Sequence, residues 1–128
     1  MKKFLVAIDQ GTTSSRAILF SLSGKPIYTS QKEFTQYFPK DGWVEHDPNE
    51  IWQTTKKVLI DVIKKSKNLK GKILTIGITN QRETTVLWDK SNGKPVYNAI
   101  VWQDRRTEDF CNELKKKIKK KTSRHRIK

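Results

Sequence analysis

Two short apolar runs flank one polar stretch at the start of the chain, and this spacing restricts the fold more than any other feature. Lys3-Phe4-Leu5-Val6-Ala7-Ile8 is rich in β-branched and aromatic residues and predicts a buried strand. Arg16-Ala17-Ile18-Leu19-Phe20 predicts a second. Between them, Asp9-Gln10-Gly11-Thr12-Thr13-Ser14-Ser15-Arg16 is a tight connection that starts with an acid at the end of the first strand. Small hydroxyl residues and a glycine leave backbone N–H groups open, so a ring of donors can face an anion. Asp9 is suited to a hydrated Mg²⁺ beside a polyphosphate, because that ion takes one or two carboxylates plus waters and phosphate oxygens. The stretch is not a P-loop: no Gly-Lys-Ser/Thr follows, and it leads into a strand instead of a helix. The same residues also suit an ordinary polar hairpin turn. Both readings stand at this point.

The next residues extend the pattern. Ser23-Gly24-Lys25-Pro26 is a turn and Ile27 to Phe34 a third strand, giving an antiparallel meander. Gln36 to Val44, with Pro39 and Gly42, is an irregular surface loop. A helix then starts at Asp47-Pro48-Asn49-Glu50, with Asp47 as N-cap, Pro48 at N1 and Glu50 reaching back as in a capping box. Ile51, Thr55, Val58, Leu59, Val62 and Ile63 share one face, and the helix ends near Lys67-Asn68. His46 stands beside two acids, but without a second His or Cys nearby it is read as a capping and surface hydrogen-bonding residue, not a metal ligand.

Ile73 to Thr79 predicts a buried strand parallel to the first, since a helix separates them. It runs into Asn80-Gln81-Arg82-Glu83 at its carboxyl end, where ligands collect in open α/β sheets. Thr84–Trp88 and Asn98–Trp102 are read as paired strands around the Ser91-Asn92-Gly93-Lys94 turn. Arg82, Glu83 and Trp102 thereby fall on neighbouring segments. An acid, an Arg and an aromatic face suit a small polyol; an ion pair beside a core tryptophan accounts for the same residues. A last helix begins at Thr107 or Glu108, with Phe110, Cys111 and Leu114 as its apolar marks.

Charge bears on the remaining function classes. The net charge is +14, and residues 111–128 hold nine Lys/Arg against the single acid Glu113. The excess is concentrated there, and the body is only moderately basic with scattered, solvated lysines. The run Lys115 to Lys121 has only Ile118 as an apolar residue, so no face can be buried and an unordered tail is expected. It lacks the interleaved aromatics that stack on bases, which argues against a specific nucleic-acid partner. A single cysteine fits a reducing cytoplasm. No run has the length of a membrane span or the form of a signal peptide, and a cytoplasmic, membrane-free protein is expected.

Meander, helix, parallel strand and further helix match the opening of an actin-like, ribonuclease H-type α/β domain. Four blocks then carry a resemblance: Asp9 to Arg16, Gly42 to Pro48, Gly77 to Thr85, and Gly93-Lys94-Pro95 through Trp102-Gln103. From about Phe4 to Leu114 the chain resembles the glycerol-phosphorylating members of the FGGY family of carbohydrate kinases. The resemblance implies ATP and Mg²⁺ as cofactors and transfer of phosphate from ATP to glycerol. It implies that Thr12, Thr13, Ser14 and Arg16 contact nucleotide phosphates, that Asp9 positions Mg²⁺, and that Thr12 also touches the product phosphate. Arg82 and Glu83 would hold glycerol hydroxyls and Trp102 would pack on its carbons. Family members are several times longer, form homo-oligomers, and carry their catalytic Asp and second domain beyond the point reached here. The expected organisation is therefore the N-terminal part of a first domain over 1–114, inactive alone, followed by a basic tail over 115–128 that is disordered or out of frame. A small basic module for nucleic acid or anionic surfaces is the alternative.

Overall fold

A computed structural model describes residues 1–125, with side chains described through Lys119. Eight elements follow one another: β1 (Lys2–Gln10), β2 (Ser14–Ser21), β3 (Pro26–Glu33), β4 (Glu45–His46), α1 (Pro48–Asn68), β5 (Gly71–Thr79), β6 (Ala99–Ile100) and α2 (Glu108–His125). The main sheet has the order β3-β2-β1-β5. The first three strands form the expected antiparallel meander, and β5 lies parallel to β1.

Period-two burial puts Phe4, Val6 and Ile8 of β1 on one face of this sheet, with Ala17 and Leu19 of β2 beside them. Val58 and Val62 of α1 close the core from above. The most buried line on α1 is Thr54, Val58, Val62 and Ser66, while Ile51, Thr55, Leu59 and Ile63 are half-buried on its flank. The stripe is thus turned by one residue toward β2, because hydroxyls fasten this end of the helix. Ser15 Oγ lies 2.8 Å from Thr54 Oγ1 and donates to Gln10 Oε1, which also accepts from Thr55 Oγ1 at 2.6 Å. Asp47 caps α1 by accepting from Asn49 N. Glu50 does not reach back. Its carboxylate instead accepts from the Thr35 N–H and hydroxyl, both at 3.0 Å, tying the helix start to the end of the meander.

Four other expectations change. The strand expected over Ile73–Thr79 has the expected direction but is not buried: it is the outer strand, with Leu74, Ile76 and Ile78 exposed. Thr84–Trp88 is not a regular strand; its backbone pairs with the returning segment at the isolated bridges Thr85–Ile100 and Trp88–Pro95. Pro95 removes a ladder donor there. Asn98–Trp102 shortens to β6, which pairs with Glu45–His46, residues expected to lie at a helix entrance. Finally, α2 continues as a helix through the lysine run to His125. Lysine has good helix propensity, so the backbone stays helical although every described α2 side chain is exposed. The expectation for residues 126–128 lies outside the described residues.

The small β4–β6 sheet is held by buried charge. Glu45 is 1 % exposed and accepts from Tyr97 Oη, Asn98 Nδ2 and Arg106 Nη2, at 2.8–3.0 Å. Arg106 also binds Asp104, and its guanidinium lies 3.7 Å over the Trp43 ring. Burial alone raises the Glu45 carboxyl, but the three hydrogen bonds outweigh it and leave it below its usual range. Arg106 pulls Asp104 down to about 2. A lowered carboxylate stabilises the fold above its unfolded value and stops doing so as pH falls through its folded one. Acid unfolding monitored by Trp43 fluorescence is therefore expected to steepen between about pH 4 and pH 2. Arg106→Ala, which strands two buried carboxylates, should cost about 3 kcal/mol in urea unfolding and remove that steepening.

Candidate active site

Asp9 and Thr79 are register partners at the carboxyl ends of parallel β1 and β5. Just beyond them opens a cleft of about 510 Å³. Asp9, Gly11 and Thr12 form one wall, Thr79 and the 80–83 turn form the other, and Trp102 lines it as well. Two clusters separated by seventy positions in the sequence thus face one space, as the order of strands requires.

The cleft is polar and several of its parts are committed to one another. Trp102 Nε1 donates to Thr12 Oγ1 at 3.1 Å, so the indole is fixed against the hairpin loop. Trp102 is 52 % exposed, which excludes a core tryptophan. Arg82 and Glu83 are exposed and make no ion pair among the described residues. Glu83 has φ of 58°, a left-handed conformation that costs a non-glycine residue about 1 kcal/mol and recurs at functional turns.

The hairpin loop is less open than its composition suggests. The Gly11 N–H is spent on Ser14 O at 3.0 Å, and Thr13 O accepts from Phe34 N. A Cβ on Gly11 would sit 3.1 Å from Ser14 O, so the turn leaves little room for a side chain. Ser14 Oγ accepts from Gln31 Nε2 and lies, with Thr13 and Arg16, outside the walls of the cleft. Arg16 pairs with Asp9 across the β1–β2 ladder, and its Nε is buried without a partner. One half-exposed carboxylate beside hydroxyls and an under-used guanidinium fits a hydrated Mg²⁺ carrying phosphate, an ion that asks for few protein ligands.

Sequence reasoning missed the hydrogen bonds that brace the cleft walls from inside. Gln10 joins β1 to α1, and Gln36, His46 and Gln81 form a hydrogen-bonded line from the hairpin loop to the 80–83 turn. His46 is fully buried instead of lying at the surface. Polar residues in loops show no periodic signal, so spacing alone did not reveal these contacts.

An open mixed sheet with a polar cleft at the carboxyl ends of its parallel pair is an α/β arrangement of the actin-like, ribonuclease H-like kind. The FGGY family of carbohydrate kinases, N-terminal domain, matches residues 4–128, and the chain belongs to that family. Among curated relatives, the glycerol kinase of Petrotoga mobilis is 56 % identical over 126 residues, 98 % of this chain and 25 % of the relative. That of Alkaliphilus oremlandii is 64 % identical over 115 residues, 90 % of this chain and 23 % of the relative. The crystal structure of Plasmodium falciparum glycerol kinase with ADP superposes with a TM-score of 0.81 at 37 % identity, covering 88 % of this chain and 23 % of that one. A xylulose kinase from Lactobacillus acidophilus, 23 % identical over 90 % of this chain and 23 % of its own, shares the fold with a TM-score of 0.81. The chain spans about a quarter of the length of these relatives.

The Trp102–Thr12 bond makes a prediction. In Thr12→Val the Trp102 indole N–H should shift and exchange faster with solvent, while the Gly11 amide, bonded to Ser14, keeps its protection in hydrogen-exchange NMR.

Proposed function

We propose that this chain is the N-terminal portion of a glycerol kinase, converting ATP and glycerol to ADP and sn-glycerol 3-phosphate. The observation that supports this reading is the convergence of Asp9, Thr12, Arg82, Glu83 and Trp102 on one polar cleft at the carboxyl ends of β1 and β5. A triol needs both donors and acceptors, together with an apolar surface for its carbons. Arg82 donates to hydroxyl oxygens, Glu83 accepts from hydroxyl hydrogens, and the Trp102 ring covers the carbon edge. Thr12, Thr13, Ser14 and Arg16 serve the phosphates from the hairpin side. Asp9 would hold a Mg²⁺ ion. The ion, when bound, neutralises charge on the transferring phosphoryl group.

Catalysis of phosphoryl transfer is almost entirely positioning and charge stabilisation from several sides of the reacting group. This chain supplies one wall of such a site, so its own contribution is to bind and orient. The 128-residue chain therefore binds without turning over. A cytoplasmic location and, for a longer protein, a homo-oligomeric state belong to the same proposal. In the structure, no helix among the described residues is long and apolar enough to cross a membrane.

Glycerol added to the labelled chain should move the Trp102 indole and Arg82 guanidinium resonances in a saturable way. Arg82→Ala should weaken that response roughly 10- to 100-fold, as loss of a charge-assisted hydrogen bond does. No glycerol-dependent ATP turnover is expected. Turnover that Asp9→Ala abolishes would overturn the assignment of a binding role alone, and resonances indifferent to glycerol would overturn the substrate.

A further inference from the structure

Running inward from the cleft wall, the side chains of Gln36, His46 and Gln81 form a line whose proton positions can be assigned from geometry. Gln36 Nε2 faces two backbone carbonyls, Thr12 O at 3.2 Å and Phe34 O at 3.3 Å. Carbonyls only accept, so this end of the amide is the NH₂ group and the other end is Oε1. Gln36 Oε1 lies 2.6 Å from His46 Nε2, which must therefore carry a hydrogen. In a neutral ring Nδ1 is then an acceptor, and Gln81 Nε2 stands 3.4 Å from it. The remaining atom, Gln81 Oε1, is buried with no partner. Satisfied at three of its links and unsatisfied at the last, the line has a second arrangement built into it. If Nδ1 gains a proton, the Gln81 amide has to turn over, and the unpaired Oε1 is the acceptor that the new N–H requires.

We propose that His46, neutral and protonated at Nε2, is a positioning residue that locks the 80–83 turn to the Thr12 hairpin through Gln36 and Gln81, and that protonation of the ring turns the Gln81 amide over. The consequence for ligand binding rests on the cleft reading given above; the lock itself does not. His46 is fully buried, and the Phe34 ring meets it edge-on at 5.0 Å. Burial holds the imidazole below its usual range, against the opposing effects of Gln81 and the Glu50 carboxylate of α1. Its neighbour Glu45 is committed to Arg106, Tyr97 and Asn98, and Asp47 caps α1. Across the small sheet the paired residue is the uncharged Ala99. The one acid favouring the charged ring thus comes from α1. Because Gln81 immediately precedes Arg82 and Glu83, turning its amide changes what anchors the turn that lines the cleft.

The test uses the isotope-labelled 128-residue chain without glycerol or nucleotide, so its failure and that of the proposed activity are separable. Long-range imidazole spectra should show the Nε2–H tautomer at neutral pH. On acidification below the ordinary imidazole range, the Gln81 side-chain amide and the Arg82 and Glu83 backbone amides should move with the His46 midpoint. His46→Asn keeps an acceptor near Nδ1 and should leave the Arg82 amide as in the parent while shifting Thr12. His46→Gln keeps the donor near Nε2 and should do the reverse. A residue that merely fills space would move both ends together in both variants. An Nδ1–H tautomer, or Gln81 and Arg82 amides that ignore the titration, would overturn the proposal. Should either variant fail to fold, the tautomer and titration of the parent chain decide alone.

Discussion

Everything at the cleft depends on β1 having one antiparallel and one parallel neighbour. The antiparallel side is a hairpin, so Asp9 and Arg16 end up directly across from each other at its mouth. The parallel side cannot be reached by a short turn and needs a crossover, which α1 supplies. Parallel pairing then brings Thr79 beside Asp9, and the segment after β5 leaves the sheet at the same edge as the hairpin loop. A shift of β5 by one residue would send its side chains to the opposite face and carry the 80–83 turn out of line with Thr12. Register is therefore the quantity that the α1 packing and the Ser15–Thr54 and Gln10–Thr55 contacts protect.

The second sheet places the third component. Two residues of β4 pair with two of β6, too few for ladder bonds alone to define an orientation. Glu45, Asp104 and Arg106 provide the missing definition. Buried ion pairs add little stability over apolar packing, but a displaced partner leaves a buried charge, which makes alternative alignments costly. Asp104 further accepts from Val44 N at 2.7 Å, fastening the segment after β6 to the one before β4. Trp102 lies between these anchors, two residues past Ile100 and two before Asp104. Its indole reaches Thr12 from a backbone that has no freedom to slide.

The legible part of the fold is the part written in local patterns. The meander followed from β-branched runs and turn residues, and α1 from its cap and periodicity, and the direction of β5 followed from topology once a helix preceded it. What stayed hidden was decided at long range. Glu45-His46 looks like the approach to a helix until Ala99–Ile100 pairs with it. Glu50 looks like a capping-box acid until Thr35 offers two donors. The apolar content of Ile73–Ile78 says nothing about which faces are covered, and in the structure it forms an exposed edge. Within the cleft, Asp9, Thr12, Arg82, Glu83 and Trp102 were recoverable because strand ends gather them, whereas Gln36, His46 and Gln81 act through hydrogen bonds that no spacing announces.

The Asp9–Arg16 pair explains how such a site tolerates its own charges when no ligand is present. Under the proposed function, Asp9 would take the cation and Arg16 the phosphate. Placed across a strand ladder, they neutralise each other in the meantime. Both side chains are more than a third exposed, and a pair of that kind contributes at most about 1 kcal/mol. Breaking it is therefore a small cost against charge-assisted bonds to phosphate, which are roughly twice as strong as neutral ones. A deeply buried pair such as Glu45–Arg106 could not be exchanged in this way, since separating it strands a charge without solvent. The chain holds both kinds: buried ions where geometry must not change, and an exposed pair that the proposed ligand would exchange for its own charges.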